Sequence, residues 1–339
     1  MHLELVVPAL FPAQGAPSAP APALELLLAR GRRTPGDASG LEPWLCGAFG
    51  LAGFPAANSS VPAGALTALA NGLDPGPQRW LRADPVHLRA ASDHLILVPN
   101  QAFTVTGAEA DALAGGLGAL LAGNFTLYPV TPDQWCLRVE NQDESAASVC
   151  APIELAGANV DPHLPAKQWH ALLTELQMAL YEHPVNTARE ARGDPVINSL
   201  WLWGAGKLPA AARAPWHSVS AEDPVALGLA RVAGVRHRAP GSGAEEWLGR
   251  APEDGRHLMV LDSLRGARAL GELDACARRL QALEDEWFAP LLAALKAGRI
   301  GMLTVHVPDA AASFETVRGD LRRFWRRRRP LTDYRITLA

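Results

Sequence analysis

The chain has 339 residues, 48% apolar and 19% charged, with 28 prolines and 30 glycines. That balance excludes a disordered chain and allows a sizeable core, in one large α/β domain or two domains of ordinary size joined by many short connections. The net charge of −4 gives no general attraction for nucleic acid or anionic lipid, and no apolar stretch approaches the roughly 20 residues that span a bilayer.

Four cysteines, Cys46, Cys136, Cys150 and Cys276, lie far apart without a C-x-x-C pair, and no basic-then-apolar leader opens the chain. A reduced cytoplasm is therefore the expected compartment, with no membrane partner.

His2 to Leu10, HLELVVPAL, predicts a buried strand, and Ala23 to Arg30 a helix that TPGDASG ends. Two short helical patterns follow between Leu41 and Leu73, broken by GFPAANSSVPAG and closed by the turn LDPGPQ. From Trp80 to about Tyr128, strand-like pieces surround one Ala/Leu/Gly helix at Gly107 to Gly123, and QWCLRVE continues the strand pattern. Lys167 to Tyr181 places Trp169, Leu172, Leu173, Leu176 and Leu180 on one helical face. NSLWLW at Asn198 to Trp203 and HLMVLD at His257 to Asp262 read as central strands. A long helix from Leu270 to Trp287 with a bend at Pro290 comes next, then a strand at Ile300 to Val307 and a last helix near Thr316 to Trp325. Strands alternating with helices imply a mostly parallel sheet.

The stretch from Glu182 to Gly206, EHPVNTAREARGDPVINSLWLWGAG, resembles the archaeal-type cofactor-independent phosphoglycerate mutases, within the alkaline phosphatase superfamily. Weaker correspondences lie at Leu73 to Pro77, Trp80 to Leu88, Asn124 to Glu140 and Leu280 to Leu292. The opening strand ending in Pro-Ala and the closing phrase RRFWRRRRPL, Arg322 to Leu331, are similar to uncharacterised bacterial regulatory proteins of the RpfE type. The resemblance implies an alkaline-phosphatase-like α/β core with a mostly parallel central sheet flanked by helices, plus a smaller inserted α+β unit. The expected organisation is core at 1–76 and 185–339 around an insertion at 77–184, with a basic C-terminal tail.

The family's chemistry needs two divalent ions about 3.5–4 Å apart, held by carboxylates and imidazoles, with a hydroxyl nucleophile between them. Where the family carries an aspartate after the first strand, this chain has Ala9 and Leu10. Only Ser59 and Ser60 precede the LDPGP turn as nucleophile candidates, without the family's flanking pattern. Asp262 stands where the second metal motif should begin, but no histidine follows it before His306, and His306 with Asp309 replaces an adjacent Asp-His pair. The one adjacent pair, Asp93-His94, reads as a surface turn. No metal ligands are therefore assigned and no cofactor is expected. A Mn or Zn pair would be needed only if the chain were an active mutase or phosphatase with relocated ligands.

Gly204-Ala-Gly206-Lys207 lacks the spacing of a phosphate loop. Lys207, Asp262 and His306 each lie near the carboxyl end of an expected strand, where open α/β sheets bind ligands. Arg322, Arg323, Arg326, Arg327, Arg328 and Arg329, interleaved with Phe324 and Trp325, read first as a solvated helix end, with nucleic-acid binding as the alternative. Glu182, Arg189, Glu190 and Asp194 read as loop charges. The expectation is a degenerate family member with a regulatory or ligand-binding role, its partner an unidentified small molecule or protein.

Overall fold

The computed structural model describes residues 1–12, 19–36, 40–54, 60–140, 150–164, 169–250 and 254–334. The chain divides into two compact units, Met1–Ala57 with Ala211–Ala339, and Asn58–Ala210. The second unit thus begins before residue 77 and ends after residue 184.

The first unit opens with β1 (His2–Val6), α1 (Pro22–Arg30), β2 (Arg32–Pro35) and α2 (Leu41–Ala48). The chain then builds the second unit from α3 (Ala63–Ala70), β3 (Arg79–Ala90), β4 (Leu95–Val98), α4 (Gly107–Leu121), β5 (Phe125–Pro129), β6 (Trp135–Val139), α5 (His170–Tyr181), α6 (Pro184–Arg192) and β7 (Ser199–Gly206). It returns to the first through β8 (Ser218–Ser220), α7 (Pro224–Val232), β9 (Arg236–Arg238), α8 (Ala244–Arg250), β10 (Arg256–Val260), α9 (Ser263–Ala269), α10 (Leu273–Leu283), α11 (Ala289–Ala297), β11 (Met302–Val307) and β12 (Ala312–Val317).

The first unit is a seven-stranded sheet in the order β2-β12-β11-β1-β10-β8-β9. The strands β11, β1, β10, β8 and β9 run parallel, and β12 and β2 add an antiparallel edge. Alternation along β1 sends Leu3 and Leu5, followed by Val7, into a core shared with leucines of α1, α10 and α11. Glu284, in a π-helical turn between α10 and α11, accepts hydrogen bonds from the N–H groups of Ala23 (2.6 Å) and Leu24 (3.1 Å). Its carboxylate satisfies the open donors of α1, which has no side-chain cap of its own. The protein is thus a mixed α/β protein with a largely parallel central sheet and flanking helices.

The second unit is a five-stranded antiparallel sheet, β4-β3-β6-β5, with β7 also paired to β3. Leu113, Leu117 and Leu121 of α4 and Leu176 and Leu180 of α5 pack on it, and α4 begins in a Thr106/Glu109 capping box.

Three expectations are corrected here. NSLWLW belongs to the antiparallel sheet of the second unit, because a strand buried on both sides shows the same continuous apolar run in either kind of sheet. Residues 316–325 do not form a helix. Thr316 and Val317 end β12, whose alternating burial marks a half-buried strand, and a short 3₁₀ turn covers Arg318–Arg322. Thr34 and Pro35, read as the start of a breaker, instead end β2, Arg32–Pro35.

Candidate functional site

The parallel strands of the first unit converge at their carboxyl ends, where such sheets place ligands. Beyond β1, Ala9 sits in the left-handed region at φ +57°, sparsely populated by residues with a Cβ. Its N–H donates to Asp309 Oδ1 (2.8 Å), and the Arg268 guanidinium donates to the carbonyls of Ala9 (3.3 Å) and Leu10 (3.4 Å). The turn after β1 is therefore clamped by side chains from elsewhere in the unit.

Asp262 follows β10 and borders a cavity of about 220 Å³ with Glu222, Arg279, Glu286 and Trp287. Arg279 donates to the Ser263 carbonyl (2.6 Å) beside it. Asp223, one residue before α7, caps that helix by accepting from the Ala226 N–H (2.8 Å). Burial pushes the Asp223 carboxyl up to about 7, and the nearby charges of Glu42 and Asp262 add to the push. Asp262 is also raised, by burial first, with Arg265 opposing. Arg265 holds Glu42 through two hydrogen bonds, at 2.7 and 2.9 Å, one to each carboxylate oxygen. Burial thus pushes the neighbouring carboxyls of Asp223 and Asp262 in the same direction, with Arg265 opposing both.

His306 lies on β11 opposite Val6 of β1, two strands from β10. Its Nδ1 pairs with the Ser313 hydroxyl (2.7 Å), its Nε2 with Glu4 Oε2 (3.2 Å), and its ring packs against Trp44 at 4.9 Å between centroids. Arg256 donates twice to the other oxygen of Glu4, at 3.0 and 2.6 Å. Asp262 and His306 are consequently not brought together. Among the described residues, no group of three or more His, Cys, Asp or Glu side chains is placed to hold a metal ion.

The remaining candidates belong elsewhere. Lys207 is exposed in the second unit. Ser60, also there, donates to the Ala205 carbonyl (3.0 Å), and Ser59 lies outside the described residues. Asp93 and His94 pair with each other at 2.7 Å on that unit's surface. The GAG of β7 forms a bulge: Trp80 pairs with Gly206 and Arg82 with Trp203, and Gly204 takes φ +61°. Arg189 is not a loop charge, being 1% exposed and donating to the carbonyls of Pro195 (2.8 Å) and Thr104 (3.0 Å) and to Glu109 (3.1 Å).

The arginine cluster is not the helix end expected of it. Arg322 lies in the 3₁₀ turn, and Arg323 pairs with Asp320 at 2.7 Å. Arg326, Arg327, Arg328 and Arg329 follow as an exposed segment with no helical turn. The helical register is lost upstream, where Thr316 and Val317 are committed to β12, so no helix dipole is available for these four cations to complement.

Sequence reasoning missed Glu42, Asp223 and Arg265. Asp223-Pro224 is a helix-start signature, the one signal that was available for these three.

Fold and site together define an α/β protein with a carboxylate-rich edge beside its parallel strands. No protein-family model matches the chain. A probable 2,3-bisphosphoglycerate-independent phosphoglycerate mutase of Geobacter sulfurreducens is 29% identical over 133 residues, 38% of this chain and 33% of that one. The 2,3-bisphosphoglycerate-independent phosphoglycerate mutase of Methanosarcina mazei is 27% identical over 137 residues, 38% and 34% respectively. The matched stretch spans about a third of the length of these curated relatives. The PH0037 protein from Pyrococcus horikoshii shares the fold at a TM-score of 0.55 and 14% identity, over 93% of this chain and 87% of that one. A cofactor-independent phosphoglycerate mutase from Thermoplasma acidophilum aligns at a TM-score of 0.44 and 17% identity, over 100% and 95%. About 38% of the chain is thus weakly similar to 2,3-bisphosphoglycerate-independent phosphoglycerate mutases. Among the described residues no helix is long and apolar enough to cross a membrane.

Proposed function

We infer that this chain is a phosphoglycerate-mutase-like protein with a regulatory or ligand-binding role, working without two-metal phosphoryl transfer. The observation that carries the reading is the engagement of the donors at the sheet's carboxyl edge. Both oxygens of Glu42 are taken by Arg265, both nitrogens of His306 by Ser313 and Glu4, and one oxygen of Asp309 by the Ala9 N–H. Divalent ions need deprotonated carboxylates and free imidazole nitrogens, and the engagement of these donors by other side chains supports a reading without a paired metal centre. The reading extends to the cytoplasm as compartment and to a small molecule or protein as partner.

The test is metal analysis of the purified protein combined with a 3-phosphoglycerate turnover assay in added Mn or Zn. The expected outcome is substoichiometric metal and no 2-phosphoglycerate. Stoichiometric Mn or Zn that disappears in Asp262→Asn, together with turnover, would overturn the proposal in favour of an active mutase or phosphatase.

A further inference from the structure

We propose that the arginine-lined cavity between β2 and the C-terminal segment is a binding site for a nucleotide carrying two or more phosphates. The cavity, about 760 Å³, lies within the range of sites for drug-sized ligands, roughly 300–1,000 Å³. Five arginines line it, Arg32, Arg33, Arg326, Arg327 and Arg329, against one carboxylate, Asp333. That is a concentrated positive lining on a chain whose net charge is −4.

The arginines come from two distant parts of the sequence that the fold holds side by side. Arg326 donates to the Gly31 carbonyl (2.8 Å), Arg323 to the Arg30 carbonyl (3.2 Å), and Arg30 reaches back to the Leu321 carbonyl. These bonds fix the C-terminal segment against the junction of α1 and β2 without neutralising any guanidinium. Arg33 lies over the Phe314 ring at 5.8 Å, and Arg32 shares an exposed ion pair with Glu315 at 2.9 Å. Arg33, Arg327 and Arg329 form no ion pair among the described residues. Like charges held together disfavour the folded state until an anion joins them, and planar guanidinium forks match phosphate oxygens in pairs.

An aromatic moiety in the ligand follows from Trp325. It lines the cavity while 66% exposed, set edge-on to the 78% exposed Phe324 at 5.3 Å. An exposed indole beside guanidinium groups is a platform on which a base stacks. The pocket offers one exposed indole, Trp325, as a platform for a single base, so a mononucleotide fits it better than a longer strand. The site is built from residues other than those at the carboxyl edge of β10, so it stands independently of the function proposed above.

Calorimetric titration of the full chain at physiological salt tests it, with ATP, GTP, tripolyphosphate and a short single-stranded oligonucleotide as probes. A nucleoside triphosphate is expected to bind at least about tenfold more tightly than tripolyphosphate, the difference being the stacked base. Replacing Arg327→Ala together with Arg329→Ala should weaken nucleotide binding about tenfold or more, with the melting temperature of the free protein no lower than the parent's, since two mutually repelling cations are removed. Trp325→Ala should reduce the nucleotide to the affinity of tripolyphosphate. Failure of both nucleotides to bind, equal binding of tripolyphosphate, or tighter binding of the oligonucleotide than of either nucleotide would each overturn the proposal.

Discussion

The indole N–H of Trp203 donates to Asp84 Oδ2 at 2.7 Å, while the other oxygen of Asp84 accepts two hydrogen bonds from Arg82, at 3.0 and 2.6 Å. Arg82 also lies over the Trp203 ring at 5.4 Å and donates to the Thr67 hydroxyl (3.2 Å). The second tryptophan of the LWLW run therefore ties β7 to a buried ion pair within β3. Burial is the largest influence on Asp84 and raises its carboxyl, against the pull of Arg82, Trp203 and the Trp135 N–H.

Asp84→Asn removes a carboxylate charge that is 2.6 Å from the buried Arg82 guanidinium and is expected to cost about 3–5 kcal/mol. Trp203→Phe removes one hydrogen bond and leaves the ion pair in place, costing about 1–3 kcal/mol. Urea unfolding followed by fluorescence orders the two, and a larger loss for Trp203→Phe would contradict the assignment of the ion pair as the dominant element.

Gly204 and Gly206 are positions of close approach rather than parts of a phosphate loop. A Cβ at Gly204 would come within 2.6 Å of the Ala63 Cβ, and one at Gly206 within 2.6 Å of the Pro62 Cβ, so α3 lies directly on this end of β7. Because Gly204 also has φ +61°, Gly204→Ala is expected to lose at least about 2 kcal/mol. Lys207→Ala, at an exposed position, should stay within about 0.5 kcal/mol of the parent. A Gly204→Ala protein melting with the parent would sink the explanation.

What was legible in the sequence was local. The capping box of α4 and the leucine spacing of α5 are written in neighbouring residues, and both helices form where that spacing places them. Sheet membership was not legible for β7, because which strand it joins depends on residues more than a hundred positions away. RRTP has no apolar alternation at all, and β2 exists because β12 offers it a free edge. FETVRGDLRRFW carries a helix-like pattern, but Phe314 and Thr316 are drawn into the sheet and the helical register stops there. The carboxylates around Asp262 were hidden for the same reason, since Glu42, Asp223 and Arg265 come from three separate segments.

Glu4 sets an acid limit on the first unit. Burial is the largest single influence on its carboxyl and raises it, but hydrogen bonds from His306 and Arg256 and their charges outweigh that and hold it at about 2, against 4.5 for the free group. The unfolded chain therefore takes up this proton first as the pH falls. The stabilisation is fully present above 4.5 and is lost as the pH drops towards about 2, at most about 3 kcal/mol in all. Denaturant titrations across the acid range should show a shallower loss in Glu4→Gln than in the parent. Equal slopes would show that Glu4 is not the group responsible.

The cysteines report on the carboxylate cluster. Burial pushes the Cys46 thiol up to about 12, and Glu42 and Asp223 reinforce the shift because a thiolate beside two carboxylates would be repelled. Burial alone does most of the same to Cys136, also at about 12, whose thiol faces the Gly64 carbonyl at 3.6 Å. Cys276 is buried, and Cys150 is the one cysteine that keeps partial exposure. Since the thiolate is the reactive form, a disulfide reagent at mildly alkaline pH should modify at most one thiol rapidly in the native protein and all four after unfolding. A second rapid thiol, mapped to Cys46, would mean that solvent reaches Glu42 and Asp223. The raised carboxyl of Asp223, which burial causes first, would then lose its physical cause.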